Sequence, residues 1–289
     1  MKDGAIRSFD TVAGLRAALD YERAGGRRVG VVPTMGYLHE GHGSLIEAAA
    51  AADDVVVTTI FVNPLQFAAG EDLAAYPRDL PRDSALAKRC GADVLFTPPV
   101  LEMYPEPVQT TVSVDGPVTE RMEGASRPTH FAGVATVVAK LFSIAGPCRA
   151  YFGEKDWQQV TMVRRMARDL SMPVEVVGCP TIREHDGLAL SSRNVYLTPA
   201  ERAAAPVLYR AMRAGAQAVR AGEGPASVVA GGMRRQIEAE PLAQLDYAEV
   251  ADAVTLAPVD ELRGELRLLV AARFGRARLI DNIGVTAPV

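Results

Sequence analysis

The sequence predicts an α/β protein whose larger part is a parallel β-sheet covered by helices on both faces, followed by a smaller α+β domain. Two observations predict this architecture. Up to about residue 180, runs rich in β-branched residues alternate with segments whose apolar residues recur at helical spacing. Beyond about residue 182, two helical segments precede two strand-like runs. We therefore expect a first domain over residues 1–184 and a second over 185–289.

The elements of the first domain are predicted from this alternation. Its strands are short, apolar and β-branched, as buried parallel strands are, whereas its helices show apolar residues three and four positions apart. In chain order, the sequence predicts a helix at 10–23, a strand at 29–32, a helix at 43–52, a strand at 55–62, a helix at 82–90, a strand at 93–96, a helix at 131–145, a strand at 150–152, a helix at 157–170 and a strand at 174–177.

The second domain is predicted from the change in the order of elements. Helices are expected at 200–221 and 226–239, and the sequence GEGP between them is typical of a loop. Strand-like runs at 245–250 and 266–274 could pair as a small antiparallel sheet.

Composition and charge limit the kinds of molecule that this protein is expected to bind. Lys and Arg total 31 against 35 Asp and Glu, so the formal net charge of -4 gives no broad reason to bind nucleic acid or an acidic membrane. Cys90, Cys148 and Cys179 lie far apart without CxxC spacing, which favours reduced thiols. The amino terminus is charged and no apolar stretch of about 18 residues occurs. We therefore expect a cytoplasmic protein with small-molecule partners and no membrane span.

The first segment that indicates chemistry is PTMGYLHEGH at 33–42, which follows the strand predicted at 29–32. Ligands of open parallel sheets bind beyond the carboxyl ends of the strands, and a loop entering a helix offers N–H groups to phosphate oxygens. With the imidazoles of His39 and His42, this segment suits adenylyl transfer. A zinc protease site fits less well, because the histidines are three residues apart rather than the four of HExxH. Alone, the segment could be a helix-start loop with incidental histidines.

Two later segments carry further donors for anionic groups. In FGEKDWQQ, Lys155 lies at the start of a predicted helix, where a cation is unfavourable unless an anion also binds there. In DGLALSSRN, two serine hydroxyls precede Arg193, whose guanidinium can bind phosphate through two hydrogen bonds. Taken separately, Lys155 could be a solvated lysine, and the segment DGLALSSRN could be an ordinary helix cap.

Two glutamines and two further histidines complete the polar candidates. Gln66 follows the second predicted strand in NPLQF, and Gln159 lies in a later helix. Their amides donate and accept, which suits a substrate with hydroxyls and a carboxylate, and a neutral partner leaves that carboxylate more nucleophilic than a lysine would. Either could instead be a cap or a surface residue. His130 is expected at a helix start and His185 in an exposed loop.

A set of motifs occurs in one order along almost the whole chain: PTMGYLHEGH, IFVNPLQF, YPRDL, MYPEP, EGASRPTHFAGVATVV, FGEKDWQQ, REHDGLALSSRN, LLVAARFG and RLIDN. Together they resemble the pantothenate synthetase family of the HxGH nucleotidyltransferase superfamily, with HEGH at 39–42 as the signature. The resemblance implies a Rossmann-like first domain. Three positions differ from the residues that the family pattern leads us to expect: Tyr37, Gly43 and Trp157. These differences bear on side-chain packing beside the site.

The resemblance also implies an activity. The chain would be an AMP-forming ligase of pantothenate biosynthesis, joining (R)-pantoate to β-alanine and giving pantothenate, AMP and pyrophosphate. ATP would be a substrate accompanied by Mg²⁺, and a pantoyl-adenylate the intermediate. A homodimer is implied as well. Because an acyl-adenylate reacts with water, residues 185–289 could serve as a lid over the nucleotide.

The family pattern assigns roles to individual residues. His42 would be the general acid or charge stabiliser, within a group of donors suited to charge that develops on phosphate oxygens. Gln66 and Gln159 would contact pantoate, and Gln66 also β-alanine; no protein ligand is assigned to a metal. The catalytic group would be His42, His39, Lys155, Ser191, Ser192 and Arg193. The ATP contacts would be Met35, Gly36, Tyr37, Leu38, His39, Glu40, Gly41, His42, Gly153, Glu154, Lys155, Asp156, Ile182, Leu190, Ser191, Ser192 and Arg193.

Two other functions are weighed against this one. A nucleotidyltransferase that joins AMP or CMP to a phosphate-bearing acceptor would need an additional basic pocket, where this sequence has glutamines. A non-catalytic nucleotide-binding regulator would have lost polar groups of the reaction, yet all the expected ones occur here. Pantoate-dependent exchange of pyrophosphate into ATP distinguishes all three.

Overall fold

The computed structural model describes residues 5–67, 73–74 and 76–288, and the chain divides into two compact units. The N-terminal unit comprises Met1–Glu154 and Gln159–Pro180, and the C-terminal unit comprises Lys155–Gln158 and Thr181–Val289. Lys155–Gln158 thus group with a later part of the chain. The boundary predicted from sequence, between residues 184 and 185, separates two functional parts. It stays a prediction, because the division described here is one of geometry.

The N-terminal unit contains a six-stranded sheet in which every strand pair is parallel. Consecutive residues of a central strand, Val31 and Val32, are 1% and 0% exposed. Because neighbouring strand residues point to opposite faces, this burial requires cover on both faces, and the predicted parallel α/β architecture is confirmed. In their order across the sheet, the strands are β1 (Arg7–Phe9), β4 (Val94–Phe96), β3 (Val55–Ile60), β2 (Val29–Thr34), β5 (Cys148–Gly153) and β6 (Val174–Cys179).

This strand order creates a switch point beside β2. The chain proceeds from β2 to β3 on one side and later returns to β5 on the other. Crevices for ligands form at such points, beyond the carboxyl ends of the strands. The carboxyl ends of β2 and β5, at Thr34 and Gly153, lie at the same edge of the sheet because the two strands are parallel neighbours.

The helices of the N-terminal unit follow the predicted alternation. The most buried long helix has an almost uninterrupted apolar sequence, which explains why it packs in the core against β2. Strand β1 and three short helices, α4 to α6, were not predicted. The helices are α1 (Val12–Ala24), α2 (Glu40–Ala52), α3 (Leu80–Arg89), α4 (Val100–Met103), α5 (Pro117–Glu120), α6 (Glu123–Ser126), α7 (His130–Ala145) and α8 (Trp157–Asp169), the first two residues of α8 grouping with the C-terminal unit.

Among its described residues, the C-terminal unit contains three α-helices, a short 3-10 helix (Ser192–Tyr196) and a three-stranded antiparallel sheet, which confirms the expected α+β class. Its core joins one face of the sheet to the apolar sides of the two longer helices. No helix among the described residues is long and apolar enough to cross a membrane. The elements are α9 (Pro199–Ala204), α10 (Val207–Ala221), α11 (Ala226–Glu238), β7 (Gln244–Asp252), β8 (Glu265–Phe274) and β9 (Ala277–Thr286), with the sheet order β7-β8-β9.

Two features of this unit differ from the prediction. The single helix expected at 200–221 is wrong: α9 ends at Ala204 and α10 begins at Val207, because Pro206 between them lacks the N–H that a continuous helix requires. Strand β9 was missed. It pairs with β8 through a two-residue turn, and Gly275 adopts a φ of 53° there, as the first position of such turns requires.

Candidate active site

The loop after β2 is held in an unusual backbone conformation by a buried carboxylate. Gly36 and Tyr37 have φ values of 86° and 51°, and the second is uncommon for a residue with a side chain. Asp83, on α3 and 1% exposed, accepts hydrogen bonds from the backbone N–H groups of Tyr37 and Leu38, each at 2.7 Å. Both Asp83 oxygens are used by this loop. The anchoring of the candidate ATP-binding loop therefore depends on a residue that the sequence reasoning missed.

His39 and His42 form the N-terminal cap of α2. His39 Nδ1 accepts from Gly41 N at 3.1 Å, and His42 Nδ1 accepts from His39 N at 3.3 Å. The two rings are 4.1 Å apart between centroids. With Nδ1 accepting a backbone N–H, the neutral imidazole carries its proton on Nε2, and each ring is a donor at that atom. The helix therefore begins three residues earlier than predicted, at Glu40, because the histidines themselves supply the cap.

The side chain of Gln66 is oriented by Asn63, which is 1% exposed. Asn63 Nδ2 donates to Gln66 Oε1 at 3.1 Å and to the Gly133 carbonyl at 3.1 Å, and its Oδ1 accepts from the Tyr104 hydroxyl at 2.9 Å. Burial raises the pKa of Tyr104 to about 12, so its proton stays available for this bond. Since Asn63 engages Gln66 Oε1, the amide nitrogen of Gln66 is the group oriented to donate elsewhere.

The remaining candidates of the N-terminal unit lie on several elements. His130 is the first residue of α7, and its Nδ1 lies 3.3 Å from the Gln66 carbonyl oxygen, so it lies at the helix start as predicted. Gly153 ends β5 and Glu154 follows it. Gln159 lies in the first turn of α8 and is partly buried. Gln66 and Gln159 thus belong to different elements, and their joint contact with one substrate stays a prediction.

The C-terminal unit brings Lys155, Ser191 and Arg193 to one narrow cleft with a cavity volume of about 10 Å³. The Lys155 side chain is 17% exposed, and its Nζ lies 3.5 Å from Asp156 Oδ1. Arg278 and Asp281 also line the cleft. Its interior has room for no more than about one water, and Arg278 already pairs with Asp246 at 2.6 Å, so an anionic group would meet Lys155 and Arg193 at the mouth of the cleft.

The segment Ser191–Arg193 follows a small hairpin. Leu190 N donates to Ile182 O at 2.9 Å, which closes the hairpin, and Ile182 itself is 38% exposed. Ser191 caps the next turn, because its Oγ accepts from Arg193 N at 3.2 Å. The Ser191 hydroxyl proton can still be donated to a ligand. His185, near the tip of this hairpin, is exposed as predicted.

All three unexpected residues have local packing roles, and the guanidinium carbon of Arg82 lies 4.9 Å from the centroid of the Tyr37 ring. A Cβ at position 43 would lie 3.0 Å from Cys90 Sγ, so glycine allows the close packing of α2 there. The Trp157 ring stacks on Arg267, whose guanidinium carbon lies 3.7 Å from the ring centroid, and Trp157 Nε1 donates to Ala253 O at 3.0 Å. The large aromatic ring therefore fixes the start of α8 within the C-terminal unit.

Comparison with known proteins identifies the family. A family model described as pantoate-beta-alanine ligase matches residues 7–284. Pantothenate synthetase from Thermus thermophilus is 54% identical over 280 residues, covering 97% of this chain and 99% of that protein. The enzyme of the same name from Moorella thermoacetica is 51% identical over 275 residues, covering 95% and 97%.

Solved structures agree with the sequence comparisons. The crystal structure of pantothenate synthetase from Thermus thermophilus has a TM-score of 0.91 and 53% identity, covering 97% of this chain and all of that one. A pantoate-beta-alanine ligase from Francisella tularensis, in complex with beta-gamma ATP and beta-alanine, has a TM-score of 0.79 and 32% identity, covering 96% and 97%. The chain therefore belongs to the pantoate-beta-alanine ligase family.

Proposed function

We propose that this ligase forms pantothenate in two chemical steps, first activating pantoate as its adenylate and then transferring the pantoyl group to β-alanine. Its family consists of ATP-dependent ligases that form the amide bond between these two substrates. The relative from Francisella tularensis was crystallised with beta-gamma ATP and beta-alanine, which supports the same substrates here. The observation that carries the proposal is the placement of His39 and His42 side by side at the start of α2, with their ring centroids 4.1 Å apart.

In the first step, a carboxylate oxygen of pantoate attacks the α-phosphorus of ATP. The bond from this phosphorus to the bridging oxygen breaks, and pyrophosphate leaves with the electron pair. Negative charge grows on the α-phosphate oxygens and on pyrophosphate, so donors placed at these oxygens lower the barrier. We assign this role to the catalytic group, with His42 as the principal donor to the α-phosphate.

The basic and hydroxyl groups of the C-terminal unit are assigned to the departing pyrophosphate. Lys155, Ser191 and Arg193 line one cleft, which supports a shared anionic ligand. Ser192 lies between two of them in sequence and completes the set. The loop at 35–42, the residues at 153–156, Ile182 and Leu190 are the proposed ATP contacts. The donor pattern favours phosphate binding, because a protonated lysine, a guanidinium and hydroxyls all donate to anionic oxygens.

In the second step, the neutral amine of β-alanine attacks the acyl carbon of the adenylate. The carbon–oxygen bond to AMP breaks, AMP leaves, and the amine nitrogen loses a proton as the amide forms. Gln66 and Gln159 are the proposed contacts of pantoate, and Gln66 that of β-alanine. The orientation of the Gln66 amide by buried Asn63 supports a binding role.

Mg²⁺ is proposed to enter with ATP, as part of the substrate. Mg²⁺ usually keeps several waters and binds phosphates with one or two carboxylates rather than an all-protein cage. In the described part of the chain, no group of three His, Cys, Asp or Glu residues is arranged to hold a metal ion. We therefore assign it no protein ligand. The homodimer, the cytoplasmic location and the lid role of residues 185–289 are likewise proposed from the family resemblance.

Isotope exchange tests the adenylate. Enzyme supplied with MgATP and pantoate, but without β-alanine, should exchange labelled pyrophosphate into ATP, because the first step is reversible. Omitting pantoate should abolish the exchange, since its carboxylate expels pyrophosphate. Adding β-alanine should divert the intermediate to pantothenate and AMP.

The matched control is His42→Ala, which should retain ATP binding but lose about 10²–10³-fold in exchange rate, the typical effect of removing one transition-state donor. Folded, ATP-binding wild-type enzyme without pantoate-dependent exchange would refute the proposal. A dinucleotide-forming transferase would instead require a phosphorylated acceptor, and a regulator would bind ATP without any exchange.

A further inference from the structure

Two adjacent residues of β9, Asp281 and Asn282, contact two different segments: Asn282 contacts Lys155, and Asp281 contacts Arg183 in the hairpin that precedes Ser191. Both are almost fully buried, with exposed fractions of 5% and 3%. Neighbouring strand residues direct their side chains to opposite faces, so a short piece of strand can hold two separate segments. All contacts that follow lie within the C-terminal unit.

Asn282 holds the backbone of Lys155. Its Nδ2 donates to the Lys155 carbonyl at 2.7 Å, and its Oδ1 accepts from Arg267 Nε at 2.6 Å. Arg267 in turn stacks on Trp157, two residues after Lys155. The amide orientation of Asn282 is therefore fixed, because an arginine can only donate and a carbonyl can only accept. The Lys155 backbone is anchored at its own carbonyl and again at Trp157.

Asp281 holds the hairpin that precedes Ser191. Its two oxygens accept from the two terminal nitrogens of Arg183 at 2.6 and 2.9 Å, a bidentate pair with fixed geometry. Arg183 also donates to the Gly187 carbonyl at 3.0 Å, which ties the hairpin tip to the same guanidinium. The hairpin closes at Leu190, directly before Ser191. The position of Ser191–Arg193 is thereby linked to β9.

We propose that Asp281 and Asn282 are positioning residues for adenylation, because they fix the segments that carry Lys155 and Ser191–Arg193 at a set separation. The inference rests on the proposed function, in which both segments bind the phosphates of ATP. Donors act on a transition state only when they are already in place, and a displacement of about 1 Å can cost roughly 10²-fold in rate. A strand that is hydrogen-bonded within a sheet holds a more constant position than a loop does. Contacts with β9 can therefore keep the segments of Lys155 and Ser191–Arg193 in place.

The decisive variant is Asn282→Asp. Aspartate has the same shape and still accepts from Arg267, but it replaces the donor to the Lys155 carbonyl with an oxygen that repels it. We expect the pantoate-dependent exchange rate to fall by about 10- to 100-fold, with a smaller change in the KM for ATP. The melting temperature should stay within a few degrees of the wild-type value, since the hydrogen bond from Arg267 is retained and becomes charge-assisted.

A double-mutant cycle separates positioning from general stability. If Asn282 acts through Lys155, Asn282→Asp should change the rate less than about threefold in a Lys155→Ala background. Equal losses in both backgrounds would overturn the inference, as would a wild-type rate in the single variant. A second double-mutant cycle combines Asp281→Asn with Arg193→Ala. It tests the positioning role if Asn282→Asp does not fold. Equal losses in this cycle would overturn the inference as well.

Two controls make the result specific. Glu249→Gln weakens the 2.8 Å ion pair with Arg234 elsewhere in the same unit and should leave the exchange rate unchanged. Wild-type enzyme measured in parallel separates the two proposals. Absence of exchange in the wild type defeats the proposed function, whereas normal wild-type exchange with an unaffected Asn282→Asp variant defeats only the positioning role.

Discussion

At the scale of single residues, the candidate site is built from backbone groups that side chains hold in place. His39 and His42 use Nδ1 to cap a helix, and this use orients Nε2–H as the donor. Asp83 holds two N–H groups of the preceding loop. One atom of each imidazole, and both oxygens of the Asp83 carboxylate, thus serve the local fold of the candidate site.

The role of Asp83 leads to a prediction. Asp83→Asn replaces one of the two acceptors with an NH₂ group that faces a backbone N–H, and a buried unsatisfied donor costs about 1–3 kcal/mol. We expect kcat/KM for ATP in the exchange assay to fall by roughly 10- to 100-fold, because the loop at 35–38 loses its fixed conformation.

The control for this variant is Asp79→Asn on the same helix. Asp79 caps α3 through Arg82 N, and asparagine is an equally good cap, so activity should stay near the wild-type value. Equal effects of the two substitutions would show that Asp83 has no special role in the loop.

At the scale of elements, the hairpin before Ser191 is attached to α9 by one arginine. Arg202 donates to Glu184 Oε2 at 2.7 Å and to Asp186 Oδ2 at 2.6 Å. The hydrogen bond from Arg202 is the largest cause that lowers the pKa of Asp186 below its usual value. The attachment of this hairpin to α9 should therefore weaken as pH falls through the lowered pKa of Asp186.

The sign of this coupling gives a prediction. A carboxylate whose pKa is lowered by folding contributes stability above its unfolded pKa, about 3.9, and this stability is lost as pH falls through the folded pKa. Arg202→Gln should therefore lower the free energy of unfolding at pH 7, by an amount on the order of 1 kcal/mol for a partly exposed pair. The difference between variant and wild type should shrink at about pH 3.

Urea unfolding at the two pH values measures this difference. Arg165→Gln, which removes an exposed pair with Asp169, is the matched control and should change stability by no more than about 0.5 kcal/mol. A difference for Arg202→Gln that is constant from pH 7 to pH 3 would contradict the assigned cause of the Asp186 pKa shift.

At the scale of the whole molecule, the proposed function predicts how substrates change stability. A ligand that binds only the folded chain stabilises it by about 2.7 kcal/mol at 100 times its Kd. MgATP should therefore raise the melting temperature, whereas Mg²⁺ alone should have little effect, because the ion is expected to bind through the phosphates.

Thermal unfolding with MgATP, with ATP plus EDTA and with Mg²⁺ alone checks this expectation. We expect the largest increase with MgATP and a smaller one when EDTA removes the metal. Stabilisation by Mg²⁺ alone at the same concentration would indicate a metal site on the protein and contradict the proposed entry with ATP.

The sequence by itself determined the class of fold, the family and most of the candidate site. Helical spacing and β-branched runs are local patterns, so they predicted the alternation of strands and helices and the change of order after about residue 182. The motifs at 33–42 and 186–194 predicted donors for phosphate. Local patterns also have limits: one helix was predicted across Pro206, and β9 was missed because no alternation marked it.

The tertiary structure alone decided which distant residues hold those motifs in place. Asp83 contacts Tyr37 from 46 positions away, and Asn282 contacts Lys155 from 127 positions away. No spacing rule relates such residues, because their contact depends on how whole elements pack. RLIDN could be recognised as a motif from the sequence, yet only the fold shows that its last two side chains reach the segments carrying Lys155 and Ser191. Chemistry-bearing residues cluster in local motifs, whereas their supports come from elements that folding brings beside them.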